Sequence, residues 1–507
     1  MQAMETPLLL TDKQVQEFLI NGYLILQPIS LDRNFHSSIF TEVQSIFQQD
    51  GNPGNNILPR IPQLQYVFDD PVVKGALLSL LGSNYNMQPH RHAHTTRPGT
   101  ADQTWHKDSY FGYRKLLRHH QIRYAMVMYY PQDTTIEMGP TALIPRSQYD
   151  VEHPEMYSHF ETLEDPNTTS DDHDISLVCT AGTVVLIHYD IVHRGTANIT
   201  NRSHRYMFKF QFTRLEEPTQ PTWNHDPTNA SYDAADAGLL QPIVKHVWNW
   251  MIGRVIPLQE LTTDQDINTW KIQLSDHYIN TWKIQLSDHC GKIRLNAAYN
   301  LALNNEYNIL IQQLYKNKAI PRFEAAYALT ACRYNKEAID ELQAVLAREE
   351  NNEPIAYCIA FIFSEMGSAA LDTLPLLIHV IEKSHSYLVK QYCCEALGTI
   401  QVNEQHNIDT VVSCLTNVLA DRDQLKDLKD ASHMRFTAAL SLAKLGVKAI
   451  QAIPSLKEAL YLDKNRYVNA NALLALKRIG TDEALKIVLH YLEMSRWCAK
   501  TTPASLY

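Results

Sequence analysis

Hydrophobic and polar residues follow two different patterns along the 507-residue chain, and the change falls near residue 260. Before that point, short runs rich in β-branched and aromatic residues, at 124–130, 183–187 and 206–212, are separated by clusters of Pro, Gly, Asn and Asp. This pattern predicts β-strands joined by loops. After it, Ala and Leu recur at helical spacing for more than two hundred residues, which predicts an all-helical second half.

The helical half repeats itself, and a repeat indicates architecture before any other signal does. Related helices begin at Arg294, Arg322, Ile355, Lys390, Arg435 and Tyr467. Several are followed by a second apolar helix, so that helix pairs recur every 28 to 45 residues. Such pairs cannot bury their apolar faces alone and must stack on their neighbours. Over about 292–497 the pattern resembles HEAT-like repeats, which implies an α-solenoid and leaves its function open.

An identical tandem copy lies between the two halves. The segment INTWKIQLSDH occurs at 267–277 and again at 279–289. We interpret the copy as an in-frame duplication that lengthens a connecting helix, in preference to a role for its Asp-His pairs as ligands. The chain is therefore expected to comprise a β-rich domain at 1–260, a helical connector at 261–291 and a helical solenoid at 292–507.

Composition and charge narrow the class of protein. The length exceeds what one hydrophobic core serves, and the 45% hydrophobic content predicts two or three folded domains. A formal net charge of -10 disfavours nucleic acid as a partner. The N-terminus lacks the basic start of a signal peptide, and we expect no membrane span, which needs about 20 apolar residues. Eight scattered cysteines without a CxxC pair favour reduced thiols and a cytoplasmic protein.

The candidate chemistry begins at the sequence Trp105-His106-Lys107-Asp108. On a strand, residues two apart point to the same side, so His106 and Asp108 could bind one metal ion together. This short motif gains weight from 182–212, where a Gly turn, a buried strand, His193 and an arginine-led strand follow in order. Iron(II) held by two histidines and one carboxylate keeps three open positions. A chelating 2-oxoacid would take two of them, and dioxygen would take the third.

An arginine supplies the remaining part of the predicted site. Arg205 lies 12 residues after His193 and begins a strand whose aromatic residues alternate with a second face that carries Arg205 and Lys209. We expect the aromatic face to pack under the N-terminal helices and the other face to line a barrel interior. A planar guanidinium can bind the distal carboxylate of 2-oxoglutarate with two hydrogen bonds. Arg202, in the preceding turn, is the weaker candidate.

Four segments, in their order along 8–215, resemble the phytanoyl-CoA dioxygenase family. They are LTDKQVQEFLINGYLIL at 10–26, WHKD at 105–108, DTTIEMGPTALIPRSQ at 133–148, and HRG at 193–195 followed by Arg205. The resemblance implies a double-stranded β-helix (jelly-roll) core with flanking helices. It also implies iron(II), 2-oxoglutarate and dioxygen as cofactors, with release of succinate and carbon dioxide.

Two details of the resemblance refine the site. Gly195 stands where some members have a serine that helps to hold the co-substrate, so Gly195 joins Arg205 as a candidate cofactor-binding residue. Because Asp108 is present, the metal lacks the vacancy that related halogenases use for chloride. The resemblance therefore favours hydroxylation, desaturation or ring chemistry over halogenation.

The remaining histidines and loops receive structural interpretations. His188, the rival of His193, is expected to pack beside the site, and the strand-face cluster at 90–94 is expected to form a pocket wall or an exposed edge. His119, His120 and the acidic run at 171–174 are expected to be solvated. The loops at 109–121 and 218–236 are expected to carry substrate specificity.

The sequence thus predicts an Fe(II)- and 2-oxoglutarate-dependent dioxygenase that acts on a small metabolite or natural-product intermediate. Two alternatives stay open. In one, the chain is an interaction protein whose helical repeats bind a protein partner and whose β-rich half is inactive. In the other, the enzyme acts on a protein docked on those repeats.

Overall fold

The computed structural model describes residues 6–110, 115–151, 174–229, 232–254, 268–402, 404–421 and 429–494. The helices of the first half are α1 (Asp12–Asn21), α2 (Arg33–Gln49), α3 (Ile57–Arg60), α4 (Gln65–Asp69), α5 (Pro71–Leu81) and α6 (Gln241–Met251). Its strands are β1 (Tyr23–Leu26), β2 (Tyr85–Thr96), β3 (Tyr124–Tyr129), β4 (Thr141–Ile144), β5 (Ile175–Ser176), β6 (Val184–His188), β7 (Val192–Gly195) and β8 (Arg205–Arg214). The acidic run at 171–173 lies outside the described residues.

The strands form two antiparallel sheets. The larger has the order β1-β6-β3-β8-β2, and the smaller has the order β5-β4-β7. Strands β3 and β6 are buried along their whole length, as their continuous hydrophobic sequences require. The prediction of a β-rich first half is confirmed.

The side chains of strand β8 alternate between a face that packs on the helices and a face that lines the interior of the first half, as the sequence pattern predicts. On the aromatic face, Phe210 packs against Phe68 of α4 with ring centroids 4.5 Å apart. Tyr206 contacts Phe40 and Phe47 of α2 at 5.6 and 5.4 Å. Because successive side chains alternate across a strand, this packing turns Arg205, Met207 and Lys209 toward the opposite side, where they line a pocket.

The second half is helical throughout its described part, as predicted. Its helices are α7 (Asn268–Gln285), α8 (Gly291–Leu303), α9 (Tyr307–Leu314), α10 (Ala319–Leu329), α11 (Lys336–Arg348), α12 (Glu353–Met366), α13 (Leu374–Lys383), α14 (Tyr387–Thr399), α15 (Gln405–Ala420), α16 (Lys429–Leu445), α17 (Ile453–Leu462), α18 (Arg466–Ile479) and α19 (Asp482–Met494). Helix α7 runs through the first copy of the duplicated segment and into the second, which agrees with a lengthened connecting helix.

Small residues let neighbouring helices of the second half approach closely. Helices α12, α14, α16 and α18 pack successively against one another. A Cβ atom added to Gly398 of α14 would lie 2.4 Å from the hydroxyl oxygen of Ser441 in α16. That hydroxyl donates a hydrogen bond to the carbonyl oxygen of Cys394 at 2.7 Å. The close helix contact therefore depends on the absence of a side chain at Gly398.

The two halves share one hydrophobic core, since a single cluster of buried apolar residues extends from Leu10 to Ala484. Two helical stretches, Glu353–Lys383 and Ala431–Leu462, are long and apolar enough to cross a membrane by length and composition alone. The sequence analysis expected none. The most apolar window of each stretch is 78% and 67% buried inside the protein, respectively. Such burial is typical of the core helices of a folded domain. The described cysteines are free thiols, and all but Cys290 are buried.

Candidate metal centre

His106, Asp108 and His193 converge, and among the described residues they form a group that could hold a metal ion. A short backbone bridge joins the two histidines, each amide donating to the other's carbonyl oxygen at 3.0 Å. Their ring centroids lie 4.5 Å apart. One Asp108 oxygen lies 3.9 Å from His106 Nε2, and the other lies 3.9 Å from His193 Nε2. One candidate ligand atom from each residue lies within 4.8 Å of the other two.

Backbone carbonyl groups orient both imidazole rings. His106 Nδ1 lies 2.9 Å from the carbonyl oxygen of Thr104, and His193 Nδ1 lies 3.1 Å from that of Ile191. A carbonyl oxygen can only accept, so each Nδ1 donates and each Nε2 keeps its lone pair for a metal. Burial lowers the pKa of His193 to about 4. His193 is therefore neutral at pH 7, the state that a metal ligand requires.

Asp108 is paired with a cation that the sequence analysis did not single out. Lys209, on the inward side of β8, donates from Nζ to Asp108 Oδ2. Burial alone would raise the pKa of Asp108, but the ammonium group of Lys209 holds it well below its usual range. Asp108 is therefore ionised near neutral pH, and a bound metal would share the carboxylate with Lys209. The alternation of β8 was the signal, because it already placed Lys209 on the same face as Arg205.

Arg205 is buried at the other end of the same pocket and has unused hydrogen-bonding capacity. Its Nε and Nη2 atoms donate to the carbonyl oxygen of Gly139 at 3.0 and 2.7 Å. Its Nη1 is buried without a hydrogen-bond partner in the described part of the chain. An unpaired buried donor on a cation is costly, so this atom points to an anion that binds beside it. Burial lowers the pKa of Arg205, but a guanidinium stays charged at neutral pH.

Gly195 lines the same pocket beside Arg205. A Cβ atom added to it would lie 3.1 Å from Gln103 Oε1 and 3.7 Å from Arg205 Nη2. Its amide donates to Gln103 Oε1 at 2.9 Å. The absent side chain therefore leaves room beside the guanidinium, at the place where the resemblance put co-substrate binding.

Other predicted residues fall in or outside this pocket. His94 lines it, and its Nε2 is buried without a partner among the described residues, which agrees with the predicted pocket wall. His188 is buried next to the site and its Nδ1 accepts from the amide of Asp190 at 3.1 Å. Arg202, the weaker arginine candidate, is exposed. His94 could have been found from the register, since it pairs with Met207 of the inward face of β8.

The expectation that His119 and His120 are solvated is wrong. Both are buried, because the helical half covers them. His119 Nδ1 lies 2.8 Å from Glu365 of α12, and the His120 ring stacks on Tyr327 of α10 with centroids 4.0 Å apart. No local pattern around these residues indicates their burial, since both contacting residues lie more than 200 positions away.

The donor set fits a divalent iron site with a 2-oxoacid beside it. Two neutral imidazole nitrogens and one carboxylate are the ligands of non-haem iron(II) oxygenases with open coordination positions. In the same pocket, an unpaired guanidinium nitrogen and a missing side chain fit a carboxylate at some distance from the metal. The fold and the site thus define a candidate mononuclear iron centre in a β-rich domain.

Residues 41–206 match the family described as phytanoyl-CoA dioxygenase (PhyH). The matched range contains His106, Asp108, His193 and Arg205, so all four residues of the candidate site lie within the similarity. No curated protein sequence matches the chain.

Several solved structures share partial similarity with the first half of the chain. The non-heme alpha ketoglutarate dependent carbocyclase SnoK from nogalamycin biosynthesis is 17% identical, with 42% of this chain and 88% of that chain covered and a TM-score of 0.33. HygX from Streptomyces hygroscopicus with nickel and 2-oxoglutarate bound is 13% identical, with 40% and 87% covered and a TM-score of 0.33. EctD from S. alaskensis in its apoform is 14% identical, with 45% and 85% covered and a TM-score of 0.34. The fold described above rests on the strand pairing of this chain.

Proposed function

We propose that the chain is an Fe(II)- and 2-oxoglutarate-dependent dioxygenase that oxidises an unactivated C–H bond, most simply by hydroxylation, and releases succinate and carbon dioxide. One observation carries the proposal: the His106, Asp108 and His193 ligand atoms converge beside a pocket that Arg205 also lines, and Arg205 Nη1 is buried without a hydrogen-bond partner among the described residues. An unpaired buried donor on a cation is costly, so one that lies beside three converging metal-ligand side chains favours a bound anion. The β-rich core is proposed to be the double-stranded β-helix that the resemblance implies.

Each residue of the site has a defined task in this proposal. When bound, iron(II) with 2-oxoglutarate supplies activation of dioxygen and oxidative decarboxylation of the co-substrate. His106, Asp108 and His193 would hold the metal. Arg205, with Gly195 beside it, would bind the distal carboxylate of the co-substrate. No protein acid or base needs to move a proton in the central step.

The substrate is proposed to be a small metabolite or natural-product intermediate. Hydrogen-bonding side chains of Thr100, Gln103 and Thr196 line the pocket together with the metal ligands. This lining suits a compact polar molecule better than a long alkyl chain. A cytoplasmic location, without nucleic acid or membrane as partner, is part of the same proposal.

The helical half is proposed to be a HEAT-like solenoid at 292–507, joined through the connector at 261–291. Its use as a docking surface for a protein partner or a protein substrate is the competing hypothesis. The face that carries Tyr299, Tyr327 and Tyr392 already contacts the first half. A partner would therefore have to use another face of the helices.

Co-substrate turnover tests the proposal. Purified protein is incubated with iron(II), ascorbate and 2-oxoglutarate, and succinate is measured with and without a panel of small polar substrates. We expect succinate from the wild-type protein and none from His106→Ala or Asp108→Ala. Arg202→Ala, in the exposed turn near Arg205, is the matched control and should behave as the wild type. Equal succinate from wild type and His106→Ala would refute the assignment.

A further inference from the structure

A segment that follows the metal ligand Asp108 forms a series of hydrogen bonds and ion pairs with the helical half. This junction segment, residues 115–123, lies in the first half between the HxD motif and β3. Lys115 Nζ lies 2.6 and 2.7 Å from the two carboxylate oxygens of Glu395 in α14. The amide of Leu117 donates to the Tyr392 hydroxyl at 2.8 Å. The start of the junction segment is therefore fixed to α14 through both its side chains and its backbone.

The rest of the junction segment is held by three further helices. The amide of Arg118 donates to the hydroxyl of Tyr327 in α10 at 2.6 Å. His120 Nδ1 lies 2.8 Å from the hydroxyl of Tyr299 in α8. Arg123 Nε donates to Glu365 in α12 at 2.6 Å. Side chains of α8, α10, α12 and α14 thus form hydrogen bonds or ion pairs with the nine-residue junction segment.

Arg118 connects the junction segment to the candidate metal ligand Asp108. Its Nη2 donates to the backbone carbonyl oxygen of Asp108 at 2.9 Å, and its Nη1 pairs with Asp190 at 2.6 Å. The other carboxylate oxygen of Asp190 accepts from the Tyr110 hydroxyl at 2.7 Å. The Asp190 side chain is 1% exposed and that of Arg118 is 15% exposed, so water competes little with these bonds. The backbone of the carboxylate ligand is therefore set by an arginine whose own amide is bound by the helical half.

We infer that the helical half is an internal positioning element for the metal centre, and that Arg118 and Tyr327 are positioning residues that fix the carboxylate ligand Asp108. The inference rests on the proposed function, because it needs a metal at the three converging side chains. Removal of a group that orients a metal ligand typically lowers metal affinity or activity by about 10- to 100-fold. The helical half then affects the metal centre indirectly, because Tyr327 holds Arg118 and Arg118 holds the backbone of Asp108. The face of the helices that makes these contacts is covered by the junction segment of the same chain.

Anaerobic titration of the full chain with iron(II) in the presence of 2-oxoglutarate tests this role. The readout is the visible absorption band that forms when 2-oxoglutarate chelates the protein-bound iron, together with the iron concentration at half saturation. We expect Arg118→Met to weaken iron binding by about 10- to 100-fold and to shift the band. Tyr327→Phe removes one hydroxyl of the helical half and should act in the same direction by less.

The matched control is Tyr461→Phe, which also removes one hydroxyl from the helical half. That hydroxyl bonds within the helices, to the carbonyl oxygen of Ile487 at 3.5 Å, so the titration should match the wild type. Thermal unfolding of the metal-free proteins separates misfolding from mispositioning, and Tyr327→Phe decides the question if Arg118→Met does not fold. If Arg118→Met and Tyr327→Phe both fold and both show wild-type iron affinity and the wild-type absorption band, this inference is overturned. The proposed function is not affected by that outcome. A wild-type protein that forms no band would overturn the proposed function, and this inference with it.

Discussion

The candidate metal pocket and the junction between the halves are both buried and both rich in charge, but their hydrogen-bonding states differ. In the pocket, Arg205 Nη1 and His94 Nε2 have no partner among the described residues. In the junction, the charges meet opposite charges: Lys115 pairs with Glu395, and Arg123 pairs with Glu365. Burial and charge alone therefore do not mark a binding site. An unsatisfied buried donor beside a candidate metal centre, such as Arg205 Nη1, points to a ligand, whereas the paired charges of the junction point to a structural role.

The largest effect should come from the junction. Glu365→Ala leaves the buried charge of Arg123 with less compensation and removes one of the two carboxylate partners of His119. Loss of one member of a buried pair costs about 3–5 kcal/mol, so the free energy of unfolding of the metal-free protein should fall by about that amount in urea. The matched control is Lys336→Ala, whose ion pair with Asp340 is exposed at 74% and 52%. It should change stability by no more than about 1 kcal/mol. Equal effects of the two variants would contradict the assignment of the junction as structural.

Acid should destabilise the metal-free protein in two successive pH windows. Burial lowers the pKa of His188 to about 4 and that of His246 to about 3. Below about pH 6.5 the unfolded chain therefore takes up protons that the folded chain does not, and stability falls as pH falls from 6.5 toward 4. Each fully buried histidine accounts for about 3 kcal/mol over this range.

Glu365 accounts for the second window. Burial would raise its pKa, but the charges of Arg123 and His119 lower it to about 2. Its contribution is complete above about pH 4.5 and is lost as pH falls toward 2. Urea unfolding curves measured from pH 7.5 to pH 3 test both windows, and Glu365→Gln should remove the lower one. A constant free energy of unfolding between pH 7 and pH 5 would contradict the buried, neutral histidines.

Removal of the pocket arginine should affect binding more than folding. Arg205→Met deletes a guanidinium that has an unpaired nitrogen in the metal-free protein, so the free energy of unfolding should change little. The affinity for 2-oxoglutarate in the presence of iron(II) should fall by about 10- to 100-fold, the value of one charge-assisted interaction. Arg202→Met, in the exposed turn, is the matched control. A large loss of stability with unchanged 2-oxoglutarate affinity would reclassify Arg205 as structural.

The smallest effect should come from Gly195. Gly195→Ser places a Cβ atom 3.1 Å from the flexible end of Gln103 and 3.7 Å from Arg205 Nη2, so the fold should tolerate it. The added hydroxyl lies beside the expected position of the distal carboxylate and should strengthen 2-oxoglutarate binding by up to about tenfold. Gly195→Ala carries no hydroxyl and serves as the control. Equal titration curves for the two variants would place the co-substrate elsewhere in the pocket.

Features that depend on residues near in sequence could be predicted from the sequence. The HxD motif brings His106 and Asp108 to one place, and the alternation of β8 places Arg205 and Lys209 on one face. The helical texture after residue 260 was equally readable. For β8 and for the helices the period of the pattern carries the information. The predicted strand under the HxD motif is wrong, because His106 forms only an isolated bridge and Asp108 follows it in a loop.

Features that depend on residues far apart could not be predicted. The ion pair between Lys209 and Asp108 joins positions 101 residues apart, and the pair between Lys115 and Glu395 spans 280 residues. The sequence around His119 and His120 is polar, as in a solvated loop, and only the helices that cover it make it a buried junction. A local pattern cannot report a contact made by another part of the chain.

The central claim is that His106, Asp108 and His193 hold one metal ion and that Arg205 holds the co-substrate beside it. Anomalous X-ray diffraction from crystals grown without oxygen in iron(II) and 2-oxoglutarate tests this most directly. We expect one iron peak within bonding distance of both Nε2 atoms and of the Asp108 carboxylate, with the distal carboxylate of 2-oxoglutarate on Arg205 Nη1. An iron peak at other residues, or an Asp108 that binds only Lys209 at saturating iron, would contradict it.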